Sequence, residues 1–246
     1  MTVVFLSDLD DTLFQTLRKC PDDAQGLKVM STLVDGSPSG YATPRQQTLL
    51  AWLSSGSLIP VTARSKEVLA RVDVPQAPAI CSNGGCIIES GGGFDRQWHD
   101  LLMEEARGGD PVSDVHRELT SSLNAEDFRH WIVAENSLPL YVVVKSNTGR
   151  PDDLLEFAQR HGDRLPPKWR RHLNGNNLAF LPPWLNKRHA VAYLIERIRS
   201  SQPETAVVGI GDSLSDVGFM DLCDFAMSPT SSQFWRSATL DNAWLK

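Results

Sequence analysis

Residues 3–14 read VVFLSDLDDTLF, and the contrast between the two halves of this stretch decides the fold. The first half, VVFLS at 3–7, is a largely apolar run, typical of a strand that is buried on both faces of a parallel sheet. The second half places Asp8, Asp10 and Asp11 within four positions. Carboxylates that follow a buried strand so closely need partners, because an unpaired buried charge is strongly destabilising.

Two other apolar runs end in polar residues in the same way. LIPV at 58–61 is followed by Thr62, and TAVVGIG at 205–211 is followed by Asp212. In open parallel sheets, functional groups collect outside the carboxyl ends of the strands. We therefore expect the residues that follow these three strands to meet at one edge of a sheet.

Such a meeting of carboxylates needs a positive charge among them. Two carboxylates about 4 Å apart repel by ~4 kcal/mol at an effective dielectric constant of about 20. Asp8, Asp10, Asp212 and Asp216 therefore indicate a hard divalent cation, and Mg²⁺ is the common one beside phosphate. Each acidic segment taken alone is equally typical of a turn or a helix N-cap. Their occurrence after two apolar strands is what favours a site.

Lys187 is a second candidate for that positive charge. It lies four residues before Val191 in NKRHAVAYLIERI, on the apolar side of a predicted helix. A lysine on a face directed to the core is usually paired with an anion. The alternative is a lysine at a helix end that extends its ammonium group to solvent.

Composition excludes several other classes of protein. The chain has 246 residues, a net charge of −6, 41% hydrophobic residues and 22% charged residues, which is typical of a soluble globular protein. A nucleic-acid-binding surface is not expected, because such proteins carry a basic face. The four cysteines form no C-x-x-C pair, so zinc is not expected. Without a signal peptide or an apolar run of about 20 residues, we expect a cytoplasmic protein with no membrane segment.

The order of predicted elements indicates an α/β fold with an insertion. Strands and helices alternate at both ends of the chain, which predicts a Rossmann-like parallel sheet formed by residues 1–86 and 182–246. The middle instead shows helices among strands that read as an antiparallel meander. We therefore predict an inserted α+β domain at 87–181. Its basic stretch PPKWRRHLNGNN, at 166–177, is interpreted as a solvated helix face, with a sugar- or anion-binding face as the alternative.

Taken in order, four motifs resemble those of the haloacid-dehalogenase superfamily of phosphatases. They are D-x-D-x-T at 8–12, the strand-end threonine in VTARS at 61–65, the lysine in NKRHA at 186–190, and GDSLSD at 211–216. The position of the insertion is similar to that of the C2 cap in sucrose-phosphate phosphatase, mannosyl-3-phosphoglycerate phosphatase and Cof-type members. Asp11 stands where many members of the superfamily have glycine.

The resemblance implies roles for four residues, and the position of Arg64 near the predicted rim of the core makes it a fifth candidate. Asp8 would attack phosphorus and form an aspartyl-phosphate. Asp10 would protonate the leaving alcohol and later deprotonate water. Thr62 and Lys187 would hold the phosphoryl oxygens, and Arg64 is a candidate contact to the substrate.

The resemblance also implies a magnesium site. Mg²⁺ would be bound by Asp8, by the backbone carbonyl of Asp10 and by Asp212. Asp216 would orient Lys187 or a water molecule on the metal. Residues 18–41 form an unusually long segment between the first two motifs, and we hypothesise that they form a flap or small hairpin over the site.

The sequence thus predicts a Mg²⁺-dependent phosphomonoester hydrolase for a small phosphorylated metabolite, namely a sugar phosphate or a phosphorylated sugar acid. A phosphosugar mutase of the same superfamily is one alternative, because it shares the aspartyl-phosphate. A binding protein without catalysis on the same scaffold is another. No nucleic-acid or membrane partner is expected, and the chain would be a monomer or a homodimer.

Overall fold

The computed structural model describes residues 3–121, 123–150 and 152–240, which divide into two units. The first unit lies within Met1–Asp95 and Lys187–Lys246, and the second spans Arg96–Asn186. The sequence placed the boundaries at 86/87 and 181/182. The strand that crosses 86/87 pairs within the first unit, so this unit continues to Asp95.

The elements follow one another in chain order. The first segment contains β1 (Val3–Ser7), β2 (Lys28–Thr32), β3 (Pro38–Ala42), α1 (Pro44–Leu53), β4 (Ser57–Pro60), α2 (Lys66–Leu69), β5 (Ala79–Cys81) and β6 (Cys86–Ile88). The second unit contains α3 (Arg96–Arg107), α4 (Val112–Thr120), β7 (Phe128–Glu135), β8 (Leu138–Ser146), α5 (Asp152–His161), β9 (Arg170–Leu173) and β10 (Leu178–Leu181). The chain then forms α6 (Lys187–Ser201), β11 (Ala206–Ile210), α7 (Leu214–Met220), β12 (Phe225–Met227) and α8 (Gln233–Thr239).

A parallel sheet with the strand order β12-β11-β1-β4 forms the centre of the first unit. Phe5 of β1 lies opposite Val208 on one side and Leu58 on the other. Its side chain belongs to a buried apolar cluster that includes Leu9, Leu13 and Phe14 from the following loop. The predicted α/β class with a parallel sheet is therefore confirmed.

Local sequence signals explain where two helices begin. Thr43 and Gln46 form a capping box at the start of α1, where Pro44 occupies a position that needs no N–H donor. Helix α6 begins at Lys187 and buries Val191 and Ile195 together with this lysine. Lys187 therefore lies on the face of α6 that is directed to the core, as its spacing from Val191 predicts.

The second unit is built around an antiparallel sheet with the strand order β7-β8-β10-β9. The side chain of Phe157, on α5, packs against Phe128 and Phe180, with ring centroids 5.8 Å and 6.1 Å away. Helices and antiparallel strands thus share one core, which is an α+β arrangement.

The predicted helix in the basic stretch at 166–177 is wrong. Residues Arg170–Leu173 form the edge strand β9, where Leu173 pairs with Leu178 of β10. The side chain of Arg171 donates a hydrogen bond to the backbone oxygen of Ala158 on α5 at 2.6 Å. Pairing with the neighbouring strand prevails here over the helix propensity of the basic residues.

Strands β2 and β3 form the hairpin that was hypothesised for residues 18–41. Gln15 and Tyr41 exchange two backbone hydrogen bonds, of 3.0 Å and 2.7 Å. Gly40 lies so close to the Phe14 ring and to Ser31 that little space remains for a side chain. The hairpin is therefore attached to the loop that follows Asp8, and its action as a flap stays a hypothesis.

Gly40→Ala is expected to destabilise the protein by about 1–3 kcal/mol, because the added methyl group overpacks this contact. Its carbon would lie 2.4 Å from Ser31 Oγ and 2.8 Å from the Phe14 ring. Urea unfolding measures the effect. Gly91→Ala is the matched control, since nothing lies within 4 Å of an added methyl group there. Equal stability of both variants would contradict the close contact.

Within the described ranges, every helix is too short or too polar to cross a bilayer.

Candidate active site

Asp8, Lys187 and Asp216 form a buried ion-pair cluster at the carboxyl end of β1. The Lys187 Nζ donates to Asp8 Oδ1 at 2.7 Å and to Asp216 Oδ1 at 2.8 Å. All three side chains are at most 10% exposed. Charge-assisted hydrogen bonds that are shielded from solvent in this way hold the three groups in fixed positions. Residues 179 and 29 positions apart in the chain are thus brought together.

Asp212 and Thr12 complete the cluster. Asp212 follows β11 through Gly211, where an added methyl carbon would lie 2.5 Å from the Asp216 Cβ atom. The Thr12 hydroxyl lies 3.3 Å from both Asp8 Oδ2 and Asp212 Oδ1. A single hydroxyl proton cannot serve both carboxylates fully, so these two oxygens remain weakly bonded.

The pKa shifts show how crowded these carboxylates are. Burial raises the pKa of Asp8 well above its ordinary value, and the charges of Asp216 and Asp10 add to this, against the opposing effect of Lys187. Burial also raises the pKa of Asp212 to about 6, with contributions from Asp216 and Asp11. Both carboxyl groups therefore favour an added proton or an added cation.

Asp216 differs from its neighbours because it has more donors. Burial raises its pKa, but the charge of Lys187 and the hydrogen bonds from Ser213 lower it below the ordinary value. The backbone and hydroxyl groups of Ser213 both donate to Asp216 Oδ2, at 3.1 Å and 2.6 Å. Burial lowers the pKa of Lys187, but Asp216 and Asp8 outweigh it and raise the pKa above its usual range.

The donor set fits a small divalent cation. Asp8, Asp212 and Asp216 each offer a carboxylate oxygen, and these atoms lie within 4.8 Å of one another. Hard cations such as Mg²⁺ bind oxygen ligands of this kind. Both oxygens of Asp216 accept short hydrogen bonds from Lys187 and Ser213, whereas Asp8 Oδ2 and Asp212 Oδ1 share only the Thr12 hydroxyl at 3.3 Å, so Asp8 and Asp212 are the better placed direct ligands.

Thr62 follows β4, next to the cluster. The backbone of Val61 donates to the Ser7 oxygen at 2.7 Å, so this segment runs directly alongside the end of β1. Thr62 is 1% exposed, and its hydroxyl oxygen accepts a hydrogen bond from the Arg64 backbone at 3.1 Å. The Thr62 backbone oxygen accepts a hydrogen bond from the Asn83 backbone N–H at 3.0 Å. Thr62 thus lies at the same edge of the sheet as Asp8.

The Asp10 carboxylate does not belong to the three-carboxylate cluster and instead pairs with Arg64. Arg64 Nε and Nη2 donate to its two carboxylate oxygens, both at 2.7 Å. Burial lowers the pKa of Arg64, but the hydrogen bonds and charge of Asp10 outweigh it and raise the pKa. The side chain of Asp10 is therefore not one of the three clustered carboxylates. The predicted use of its backbone carbonyl as a metal ligand stays a prediction.

Asp11 adopts a backbone conformation that is uncommon for residues with a side chain. Its φ angle is +62°, in the left-handed region that glycine, aspartate and asparagine adopt most readily. Its side chain pairs with Lys19 of the segment that precedes the hairpin, with Nζ and Oδ2 2.5 Å apart.

The structure thus brings Asp8, Lys187, Asp212 and Asp216 together in one cluster, with Thr62 at the same edge of the sheet and Asp10 paired with Arg64. Sequence reasoning gave no role to Thr12 or Ser213, although both lie inside the quoted motifs. Thr12 contacts two of the carboxylates and Ser213 orients Asp216. The pairing of Asp10 with Arg64 was also missed. Its signal was the position of both residues after neighbouring parallel strands, β1 and β4.

No family model and no curated protein matches the sequence. The fold is nevertheless that of the haloacid-dehalogenase phosphatases, which combine a Rossmann-like core with a cap domain. The sucrose-phosphatase of Synechocystis sp. PCC6803, solved in complex with sucrose and phosphate, is similar at a TM-score of 0.57 and 16% identity, over 98% of this chain and 89% of that one. A Thermoplasma acidophilum protein has a TM-score of 0.52 and 14% identity, over 98% and 90% of the two chains. A Eubacterium rectale protein has a TM-score of 0.51 and 14% identity, over 96% and 91%. The predicted resemblance is therefore confirmed for the fold.

Asp212→Asn is expected to change how stability depends on pH in metal-free protein. The folded protein holds the Asp212 proton up to a pKa of about 6, against 3.8 for the ordinary group. This contribution to stability is therefore present below pH 3.8 and is lost as the pH rises through about 6. The variant has no such loss, so between pH 4 and pH 7 its stability should rise relative to the wild type by about 1–2 kcal/mol. This figure is smaller than the full pKa shift implies, because the Asp212 carboxylate is partly hydrated and its interactions are screened by solvent.

Urea unfolding of the wild type and of Asp212→Asn in EDTA, at pH 4 and at pH 7, measures this difference in stability. Added Mg²⁺ should stabilise the wild type, because it binds the folded state, and should stabilise Asp212→Asn much less. If the wild type and Asp212→Asn showed identical pH profiles and identical responses to Mg²⁺, Asp212 would not be a ligand of the cation.

Proposed function

We propose that the protein is a Mg²⁺-dependent phosphomonoester hydrolase that acts through an aspartyl-phosphate. The main support is the Asp8 carboxylate, which lies at the carboxyl end of β1 with Lys187 Nζ 2.7 Å away. A carboxylate beside a buried lysine and near two further carboxylates combines a nucleophile with positive charge for a phosphoryl group.

The reaction uses residues that surround this point. An oxygen of Asp8 attacks phosphorus, and the bond from phosphorus to the substrate alkoxide oxygen breaks. Asp10 gives its proton to that alkoxide. In the second half, Asp10 takes a proton from water, the water oxygen attacks phosphorus, and the bond to Asp8 breaks. Inorganic phosphate leaves and Asp8 is restored.

Two other groups hold the transferred phosphoryl group during both steps. Lys187 donates to its oxygens, and Asp216 keeps the ammonium group in place through the 2.8 Å contact. The Thr62 hydroxyl donates from the neighbouring strand end. Asp8 and Asp212 would hold Mg²⁺, which supplies positive charge that offsets the charge on the phosphoryl oxygens.

We further propose a small phosphorylated metabolite as the substrate, either a sugar phosphate or a phosphorylated sugar acid. The support is the fold, which resembles a sucrose-phosphatase that was solved with sucrose and phosphate bound. A cap domain of the same general kind, here the α+β unit Arg96–Asn186, would choose the leaving group.

Release of inorganic phosphate tests this function. The purified chain is incubated with a panel of phosphorylated sugars, phosphorylated sugar acids and p-nitrophenyl phosphate, in Mg²⁺ and in EDTA. We expect release from at least one member of the panel with Mg²⁺ and none with EDTA. Formation of an isomeric sugar phosphate without phosphate release, dependent on a sugar bisphosphate, would identify a mutase instead. Complete inactivity towards the panel would favour a binding protein.

A further inference from the structure

We infer that Arg64 is a positioning residue that acts through Asp10, rather than a contact to the substrate. This inference rests on the proposed function, in which Asp10 transfers the proton. The guanidinium group donates from Nε to Asp10 Oδ2 and from Nη2 to Asp10 Oδ1, both at 2.7 Å. Two parallel hydrogen bonds of this kind fix the plane of a carboxylate as well as its distance.

Relative exposure shows which partner supports the other. The side chain of Arg64 is 17% exposed, whereas that of Asp10 is 46% exposed. The Asp10 carboxylate is therefore the more open of the two groups to solvent, and the guanidinium is the more enclosed. A residue that bound the substrate directly would present its donors on the open side.

Arg64 is itself held on several sides. Its guanidinium carbon lies 5.4 Å from the centroid of the Phe14 ring, which is fully buried. Its backbone N–H donates to Thr62 Oγ1 at 3.1 Å, and its backbone oxygen accepts from Ser82 at 2.8 Å. The ring of Phe14 contacts the hairpin at Gly40 in turn. The donors directed at Asp10 thus belong to a side chain that is held by packing and by backbone hydrogen bonds within the first unit.

Fixing Asp10 matters because proton transfer depends on geometry. Each carboxylate oxygen that accepts from Arg64 retains a second lone pair for a proton. Without these two bonds the plane of the carboxylate is less firmly fixed, and a misplacement of about 1 Å can cost roughly 10²-fold in rate. Arg64 therefore acts on the rate of proton transfer and leaves substrate affinity largely alone.

A double-mutant cycle with two leaving groups tests this role. The wild type, Arg64→Met, Asp10→Asn and the double variant are compared on an alkyl phosphomonoester from the active panel and on p-nitrophenyl phosphate. With the alkyl substrate, Arg64→Met should lower kcat about 10- to 100-fold and change KM less than about threefold. The double variant should be no slower than Asp10→Asn alone, because both changes impair the same function, which is proton transfer by Asp10.

The first-turnover burst of p-nitrophenol gives the second arm of the test. This leaving group departs without a donated proton, so Arg64→Met should slow the burst much less than it slows the alkyl reaction. Arg64→Lys should recover only part of kcat, because an ammonium group cannot form the two-pronged contact. Lys28→Met, at an exposed surface pair with Asp73, is the control for the loss of one positive charge.

Different outcomes separate the two roles of Arg64. A raised KM for both substrates, together with losses that add to those of Asp10→Asn, would overturn the inference and make Arg64 a substrate contact. Failure of the proposed function would show separately, as a wild type that releases no phosphate.

Urea unfolding of the same four proteins gives a readout that needs no substrate. If Arg64 and Asp10 are in contact, the double variant loses less stability than the sum of the two single variants. Additive losses would overturn the inference whether or not the chain turns over a substrate.

Discussion

Asp8→Asn is expected to lower phosphate release at least about 10⁴-fold, because the change removes the nucleophile and leaves the rest of the site intact. Asparagine has nearly the same shape as aspartate, so the packing around position 8 should persist. Its amide oxygen can still accept the hydrogen bond from Lys187 that Asp8 Oδ1 accepts now. The measurement is kcat for the best substrate of the panel in Mg²⁺, with circular dichroism as the check of folding.

Asp22→Asn makes the same chemical change at an exposed position between the nucleophile loop and the hairpin. This control should retain the full rate of the wild type. If Asp8→Asn kept more than roughly a tenth of the wild-type kcat, the loss would lie outside the range for a catalytic nucleophile, and a mechanism through Asp8 would be wrong.

Lys187→Met is expected to abolish turnover and to destabilise metal-free protein by roughly 3–5 kcal/mol at pH 7. The lysine is 8% exposed and is the cation that contacts both Asp8 and Asp216. Its removal leaves two buried carboxylates without their partner. Their pKa values should then rise, so the stability of the variant should fall as the pH increases from about 4 to 7.

Urea unfolding in EDTA at both pH values measures this loss, and Mg²⁺ should restore part of it. Arg188→Met is the matched control on the next residue of α6. That side chain is 40% exposed and contacts Gly218 and Asp221 rather than the buried carboxylates, so its loss should cost under about 1 kcal/mol. Equal costs for the two variants, without pH dependence, would contradict a buried cluster around Lys187.

The centre of the fold could be predicted because its signals are local. The apolar runs of β1 and β11 are typical of buried strands, and a candidate site aspartate follows each of them, Asp8 directly and Asp212 after Gly211. Lys187 was recognisable because one helical turn separates it from Val191, and burial of a lysine demands an anion. These features depend on chain periodicity and on the chemistry of single residues.

The parts that could not be predicted depend on contacts between distant segments. The stretch Arg170–Leu173 has no apolar alternation, and only its pairing with β10 makes it a strand. From the sequence, the Asp10 carboxylate could have faced either a metal ion or a basic side chain. Its actual partner, Arg64, lies 54 residues away, and the Phe14 ring that supports this arginine gives no sequence signal.

Identification of the phosphorylated residue tests the central claim most directly. The Asp10→Asn variant, in which the intermediate should accumulate, is mixed with p-nitrophenyl phosphate and Mg²⁺, quenched in acid, digested and analysed by mass spectrometry. We predict one phosphoryl group on the peptide that contains Asp8, removable by hydroxylamine and absent when Asp8→Asn is combined with Asp10→Asn. A phosphoryl group on another residue, or an unmodified Asp8 peptide beside a wild type that releases phosphate, would contradict the account.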